Sequence, residues 1–495
     1  MLKTCFDNEK YIQMQSEQIS KRIRDFGGKL YLEFGGKLFD DYHASRVLPG
    51  FAPDSKVKML TNLASDVEIV IVISASDIEN TKMRSDIGIR YDTDVLRLID
   101  AFRGIGLYVG SVVISQYNNQ PSADAFKNLL VSQGISVYQH YLIEGYPYNL
   151  SHIVSPEGFG KNDYIQTSRP LVVITAPGPG SGKMATCLSQ LYHEYIRGIP
   201  AGYAKFETFP IWNIPLKHPV NLAYEAATAD LDDVNMIDPY HLEAYGQTTV
   251  NYNRDVEVFP VLNAIFEKIS GKSPYRSPTD MGVNMAGFCI SNDEASCEAA
   301  KQEILRRYFK AMCDKRKKGN GDKAVQKIEI LMRQAGITVD SRRVVAAAIQ
   351  KSIDTGNQPA VSIELPDGQI VTGKTSAFLG AASAALLNAI KKLSGIDKSV
   401  HLIQPHIIEP IQQLKVNRLG NHNPRLHSDE ALIALSICST NNKQSKEALS
   451  KLSLLQGCEA HSTVILSQVD EDIYRKLGIN LTCEPQYHTK KLYHK

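Results

Sequence analysis

Apolar and polar residues alternate over 29–34 and then give way to a nearly unbroken β-branched run, Val67, Ile69, Val70, Ile71, Val72 and Ile73, interrupted only by Glu68. Period-two alternation predicts a strand, and a continuous apolar run is what a strand covered on both faces of a parallel sheet requires. A charged helix is expected before them, over 8–24. Between 91 and 102, Val95, Leu98, Ile99 and Phe102 fall at helical spacing and give one apolar face. The alternation continues with a strand at 107–115, a helix at 122–133, and strands at 135–141 and 170–175. Strands separated by helices imply βαβ crossovers and a mainly parallel sheet.

Beyond residue 221 the pattern turns helical, with helices expected at 257–269, 293–313, 323–335 and 341–353. A break at 354–359 opens a hairpin, 361–365 and 369–373, around the turn Pro366-Asp367-Gly368. An alanine-rich helix at 377–393, shorter helices and strands at 400–403, 463–467 and 480–484 complete the chain. The expected fold is therefore α/β: a mainly parallel sheet with a P-loop-like strand–loop–helix, a helical middle layer and an α+β C-terminal domain. The corresponding boundaries are 1–255, 256–355 and 356–495, since 495 residues exceed what one core organises.

Charge and cysteine content narrow the partners. The formal net charge is +2 with mixed signs, so the chain lacks the basic field of a nucleic-acid binder. The one basic run, Lys315 to Lys318, is expected to be a solvated helix end. The eight cysteines are scattered without a CxxC pair, which suits reduced thiols. No apolar run approaches the roughly eighteen residues that span a bilayer, and the first residues carry no apolar signal core. A cytoplasmic protein that engages neither membrane nor nucleic acid is expected, with a symmetric homodimer as the default assembly.

The chemistry concentrates where the strand at 170–175 meets Ala176-Pro177-Gly178-Pro179-Gly180-Ser181-Gly182-Lys183-Met184-Ala185-Thr186. Glycines let successive backbone N–H groups turn inward and approach a phosphate without Cβ interference. The helix start adds its positive end, and Lys183 adds a full charge. Gly178, Gly180, Ser181, Gly182, Lys183 and Thr186 are thus the expected cradle for a nucleotide such as ATP, or another phosphorylated metabolite. The usual G-x-x-x-x-G-K-[ST] pattern is altered at both ends: Pro177 replaces the first glycine and Met184 the magnesium-binding hydroxyl. Phosphate binding tolerates these changes better than Mg²⁺-dependent transfer does. The alternative is an ordinary tight turn with an exposed lysine. Because several strands precede this loop, either they form a separate subdomain or the strand order is altered.

Downstream, Lys205 is a candidate charge stabiliser, and Asp230, Asp232 and Asp233 put three carboxylates within one turn. Hard oxygen ligands of that density suit Mg²⁺ beside phosphate, with Asp230 in a catalytic role and Asp232 and Asp233 as ligands; helix caps facing water are the bland alternative. Lys37, Asp41 and His43 follow the first strand and, with His218 and Arg254, are candidate substrate contacts, strand ends being where open α/β sheets place ligands. His427, Cys458 and His461 lack the companion spacing of a zinc site.

Lys183, Lys205, Pro215, His218, Ala226 and Ala227 resemble, in order and composition, ATP-dependent carboxylating and amidating synthetases of the dethiobiotin synthetase type. Over 29–51, 175–194, 206–233 and 277–290 the chain resembles, nearly end to end, a bacterial family of this length whose function is uncharacterised. Its pattern includes TAPGPGSGKMATCLSQLYHE. That resemblance implies a multidomain protein and no particular activity. The expected function is that of an enzyme binding a nucleotide or another phosphorylated metabolite through this loop, with an ATP-dependent synthetase or kinase as its finer form. The alternatives are an isomerase, hydrolase or lyase that uses phosphate as a handle, or a non-catalytic ligand-binding protein.

Overall fold

The computed structural model describes residues 4–35, 38–39, 41–84 and 88–488. Contacts divide the chain into two units. One comprises Thr4–Tyr224 and Asp233–Ser296; the other comprises Glu225–Asp232 and the chain from Cys297 onward.

The first unit runs α1 (Asn8–Asp25), β1 (Leu30–Phe34), α2 (Tyr42–Val47), α3 (Ser55–Asn62), β2 (Val67–Ser74), α4 (Ala75–Glu79), α5 (Tyr91–Gly104), β3 (Tyr108–Tyr117), α6 (Pro121–Ser132) and β4 (Ser136–Tyr141). It continues with α7 (Leu150–Ile153), β5 (Leu171–Thr175), α8 (Lys183–Ile196), β6 (Gly202–Phe206), α9 (Pro219–Ala227), β7 (Asn235–Ile237), α10 (Pro239–Tyr245), β8 (Val250–Tyr252), α11 (Asn253–Ser270), α12 (Pro278–Met281) and β9 (Gly282–Val283). Seven strands form one sheet in the order β4-β3-β2-β5-β1-β6-β9. Every pairing in it is parallel.

The strand order was altered rather than divided between subdomains. β5 inserts between β2 and β1, so the strands preceding the glycine loop belong to the same sheet. Alternate strand residues Tyr31, Val70, Val72, Val172, Ile174 and Tyr203 share a core with Cys187 and Leu188 of α8 and Phe259 and Leu262 of α11. The crossover from β1 runs toward β2 and β4, whereas that from β5, through α8, runs the other way to β6. Right-handed crossovers in opposite directions lie on opposite faces, and the carboxyl ends of the adjacent strands β1 and β5 are thus the switch point at which open α/β sheets bind ligands.

Buried polar contacts hold α8 against that sheet. Glu194 accepts hydrogen bonds from Lys29 Nζ at 2.6 Å and from Tyr31 Oη at 2.5 Å. Gln190 receives the Ile165 backbone N–H at 2.9 Å and donates to the Ile165 carbonyl at 3.0 Å.

The second unit contains α13 (Asp293–Lys318, whose first residues belong to the first unit), α14 (Asp322–Ala335), α15 (Arg343–Asp354), β10 (Ala360–Glu364), β11 (Ile370–Lys374), α16 (Ala381–Leu393), α17 (Pro405–Asn417), α18 (Ser428–Cys438), α19 (Lys443–Ser450), β12 (Glu459–Ser462), α20 (Gln468–Lys476) and β13 (Asn480–Cys483). Its mixed sheet has the order β11-β10-β12-β13. The alanines of α16 lie so close to β11 that a Cβ on Gly373 would stand 2.1 Å from the Ala385 nitrogen. Arg342, almost fully buried, donates to the Ala460 and Asn480 carbonyls and pairs with Glu459 at 2.5 Å.

Two expected strands are corrected. Residues 400–403 form no strand: Leu402 and Ile403 enter the core as irregular chain before α17. The strand expected at 463–467 lies earlier, at Glu459–Ser462, where β-branched residues are absent but Ala460 meets Ile363 of β10.

Candidate functional site

β5 is five apolar or β-branched residues, all buried, and its loop over 176–182 leads straight into α8. Gly182 is the N-cap of α8 at φ 85°, and no side chain caps the helix. Its first N–H donors are thus left without the usual Ser, Thr, Asp or Asn acceptor. Gly180 is also left-handed, at φ 79°. Gly178 has a different reason to be glycine: a Cβ there would stand 2.1 Å from the Tyr91 hydroxyl. Ser115, at the end of β3, donates from Oγ to the Ser181 carbonyl at 2.5 Å and fixes the loop from beneath.

Ser181 Oγ and Thr186 Oγ1 are buried and make no hydrogen bond among the described residues. A buried hydroxyl without a partner costs free energy and is uncommon. Met184, in the register where a hydroxyl ordinarily meets magnesium, packs against the α8–α11 core instead. Lys183 is half-buried, and its charge pulls down the Cys187 thiol; burial above all, with Glu33, overrides it and holds that thiol well above the usual value.

Lys205 lies on β6 in register with Glu33, facing α11. It is buried, contacts Asp255 and the Tyr252 hydroxyl, and sits 3.2 Å from Glu207. Burial disfavours its charge, but Asp255, then Tyr252, Glu207 and Glu33, hold it protonated well beyond an ordinary lysine. Lys205 is therefore a compensated cation, two strands from the loop, rather than an open one. On the opposite sheet face Phe34 stacks on Phe206 at 4.2 Å, and Lys56 lies over Phe206.

The other expected site residues are dispersed. Asp230 and Asp232 are exposed and belong to the Glu225–Asp232 segment. Asp233 is buried and pairs with Arg254 at 2.7 Å, so the guanidinium expected to clamp substrate holds a carboxylate of its own chain. The three aspartates do not converge among the described residues into a set spaced to hold an ion. His218 immediately precedes α9, accepting the Val220 N–H at Nδ1 and facing Asp293 through Nε2 at 2.9 Å. Asp41 caps α2 and pairs with Lys56 at 2.8 Å; burial raises its carboxyl, but Lys56 and His43 bring it below the usual range. His43 stands edge-on to Phe209 at 5.3 Å. Lys37 lies outside the described residues. His461 binds Thr482 and Glu484, whereas His427 binds Asp470.

The sequence pointed to Asp255 only as a partner of Arg254 in a substrate clamp, and not to Glu207, Tyr252 or Glu33. Glu207 was legible in principle, since a residue two beyond Lys205 on a strand shares its face. The pairing of Asp255 with Lys205, fifty positions away, was not.

Residues 4–336 match the domain of unknown function DUF1846, N-terminal, and residues 340–493 match its C-terminal counterpart. The chain belongs to the DUF1846 family. A UPF0371 protein of Streptococcus pyogenes serotype M3 is 60% identical over 491 residues, 99% of each chain. A UPF0371 protein of Streptococcus thermophilus is 59% identical over 495 residues, 100% of each. Among the described residues of this DUF1846 member, no helix is long and apolar enough to cross a membrane.

Proposed function

We propose that this DUF1846 protein is an enzyme acting on a nucleotide or other phosphorylated metabolite, whose phosphate sits at the start of α8. The observation that carries the reading is the conjunction of an uncapped helix N-terminus with two buried, unpartnered hydroxyls, Ser181 and Thr186, on either side of Lys183. A phosphate offers acceptors to all of these donors at once, and the helix dipole favours its charge. Met184 packed against the core favours phosphate as a recognition handle over Mg²⁺-dependent transfer, with the chemistry at the end of β6, two strands away.

A thermal-shift screen against ATP, GTP, sugar phosphates and inorganic phosphate, with and without Mg²⁺, tests the proposal. Stabilisation that Lys183→Ala weakens about tenfold or more in affinity, about 1.4 kcal/mol, supports it. A Mg²⁺-dependent response confined to nucleotides favours a synthetase or kinase. No response to any phosphorylated compound, or an equal response in the variant, removes the support.

A further inference from the structure

The carboxyl end of β6 carries hydrogen-bonding atoms that the fold leaves unused. Glu207 follows β6 directly and is buried; its Oε1 lies 3.2 Å from Lys205 Nζ without the alignment of a hydrogen bond. Trp212 Nε1 is likewise buried without a partner among the described residues. The indole and the carboxylate converge: a Cβ on Gly282 would stand 2.4 Å from the Trp212 ring and 3.1 Å from Glu207 Oε2. Around them one ammonium, Lys205, faces two carboxylates, Glu207 and Asp255, and the phenols of Tyr252 and Tyr224 are held neutral by burial first. Glu33, in register with Lys205 on β1, adds a third carboxylate, so the cluster has more acids than bases, and like charges at close quarters favour keeping a proton.

We propose that Glu207 is the acid–base group of this ligand site, accepting a proton from a hydroxyl of the bound phosphorylated metabolite while the Lys205 ammonium faces the oxygen left behind. This rests on the phosphate site at α8. β1 pairs with both β5 and β6, so strand spacing puts Lys205 about 10 Å from Ile174, just before the loop. In the step, the substrate O–H bond breaks, an O–H bond forms on Glu207, and the electron pair stays on the substrate oxygen. The Trp212 indole N–H supplies a hydrogen bond that selects a hydroxyl-bearing ligand. Burial pushes the Glu207 carboxyl up to about 7, with Lys205 opposing and Asp255 assisting, which suits proton transfer near neutrality.

Trp212 is the only tryptophan in the chain, so its emission reports this site alone. Between about pH 5 and 9 the wild type is expected to titrate with a midpoint near 7. Glu207→Gln should abolish that titration, Lys205→Met raise its midpoint, and Asp255→Asn lower it; circular dichroism checks folding. If Lys205→Met does not fold, the other two variants carry the test. Sulfate, whose charge is constant over this range, should raise the wild-type midpoint relative to chloride at equal ionic strength, and should not do so in Lys183→Ala. Emission that is independent of pH, or that titrates unchanged in Glu207→Gln, overturns the proposal. Sulfate that stabilises the wild type through Lys183 without moving the midpoint overturns it while leaving the phosphate site intact. A titration at Glu207 without any sulfate binding removes the phosphate site and, with it, the substrate role of Glu207.

Discussion

Glu33 and Lys205 face each other in register across β1 and β6, and Glu33 is paired on its other side with Ile174 of β5. One carboxylate thus stands between the strand that leads to the glycine loop and the strand that carries the buried lysine. Glu33 accepts a hydrogen bond from Tyr203 at 2.8 Å, and its charge is felt at both Lys205 and Cys187.

The Lys205–Asp255 pair is expected to be costly to break from one side. Lys205→Met leaves Asp255 and Glu207 buried without their counter-charge, and an uncompensated buried charge costs about 3–5 kcal/mol. Lys205→Met combined with Asp255→Leu should recover a large part of the loss. Urea unfolding of the two variants checks this; equal destabilisation by the single and double changes would contradict it.

Gly178 and Gly182 should respond differently to the same substitution. Gly182→Ala places a Cβ on left-handed backbone, at a cost of roughly 1–2 kcal/mol from the backbone alone, and only 3.0 Å from Ser115 Oγ. Gly178→Ala is blocked by the Tyr91 ring, so it should destabilise in the wild type and much less in a Tyr91→Ala background. A double-mutant cycle by thermal unfolding measures the coupling; additivity for Gly178 and Tyr91 would contradict the packing described.

His140 predicts acid sensitivity. Burial lowers its pKa from 6.5 to about 4, while its Nε2 contact with the Asp163 carbonyl at 3.1 Å opposes the shift. The unfolded chain binds the proton more readily, so this contribution is present above about pH 6.5 and is lost as pH falls toward 4, by about 3 kcal/mol at most. His140→Gln should flatten the acid side of the stability–pH curve of the first unit. An unchanged acid slope would contradict the assignment.

His427 predicts the opposite sign in the second unit. Its hydrogen bond to Asp470, at 3.0 Å, raises its pKa above 6.5 against the effect of burial. Its contribution is complete below about pH 6.5 and is lost as pH rises through the raised value. The stability difference between wild type and His427→Gln should therefore shrink from about pH 5.5 to 8.5; a difference that grows would contradict the pairing.

Much of the parallel sheet was legible because its strands are apolar on both faces: 67–74 and 170–175 lie where their β-branched runs put them. The place of β5 between β2 and β1 was not, since nothing local marks which strand a crossover skips. β12 was missed because Glu459, Ala460, His461 and Ser462 carry no strand signal, and its pairing with β10 across about a hundred residues supplies what propensity lacks. In the site, glycine spacing marked the loop over 176–182, but it did not distinguish Gly178, a packing glycine, from Gly180 and Gly182. The carboxylates at 230, 232 and 233 drew attention by density, whereas burial selected Glu207 and Asp255, and burial depends on contacts distant in sequence.

Amide hydrogen exchange over residues 176–188, with and without the phosphorylated compound that most stabilises the protein, locates the phosphate on the chain. With phosphate bound at the start of α8, exchange slows at the first turn of that helix in the wild type and not in Lys183→Ala. Ligand-induced stabilisation with unchanged exchange in this segment would place the phosphate elsewhere and contradict binding at α8.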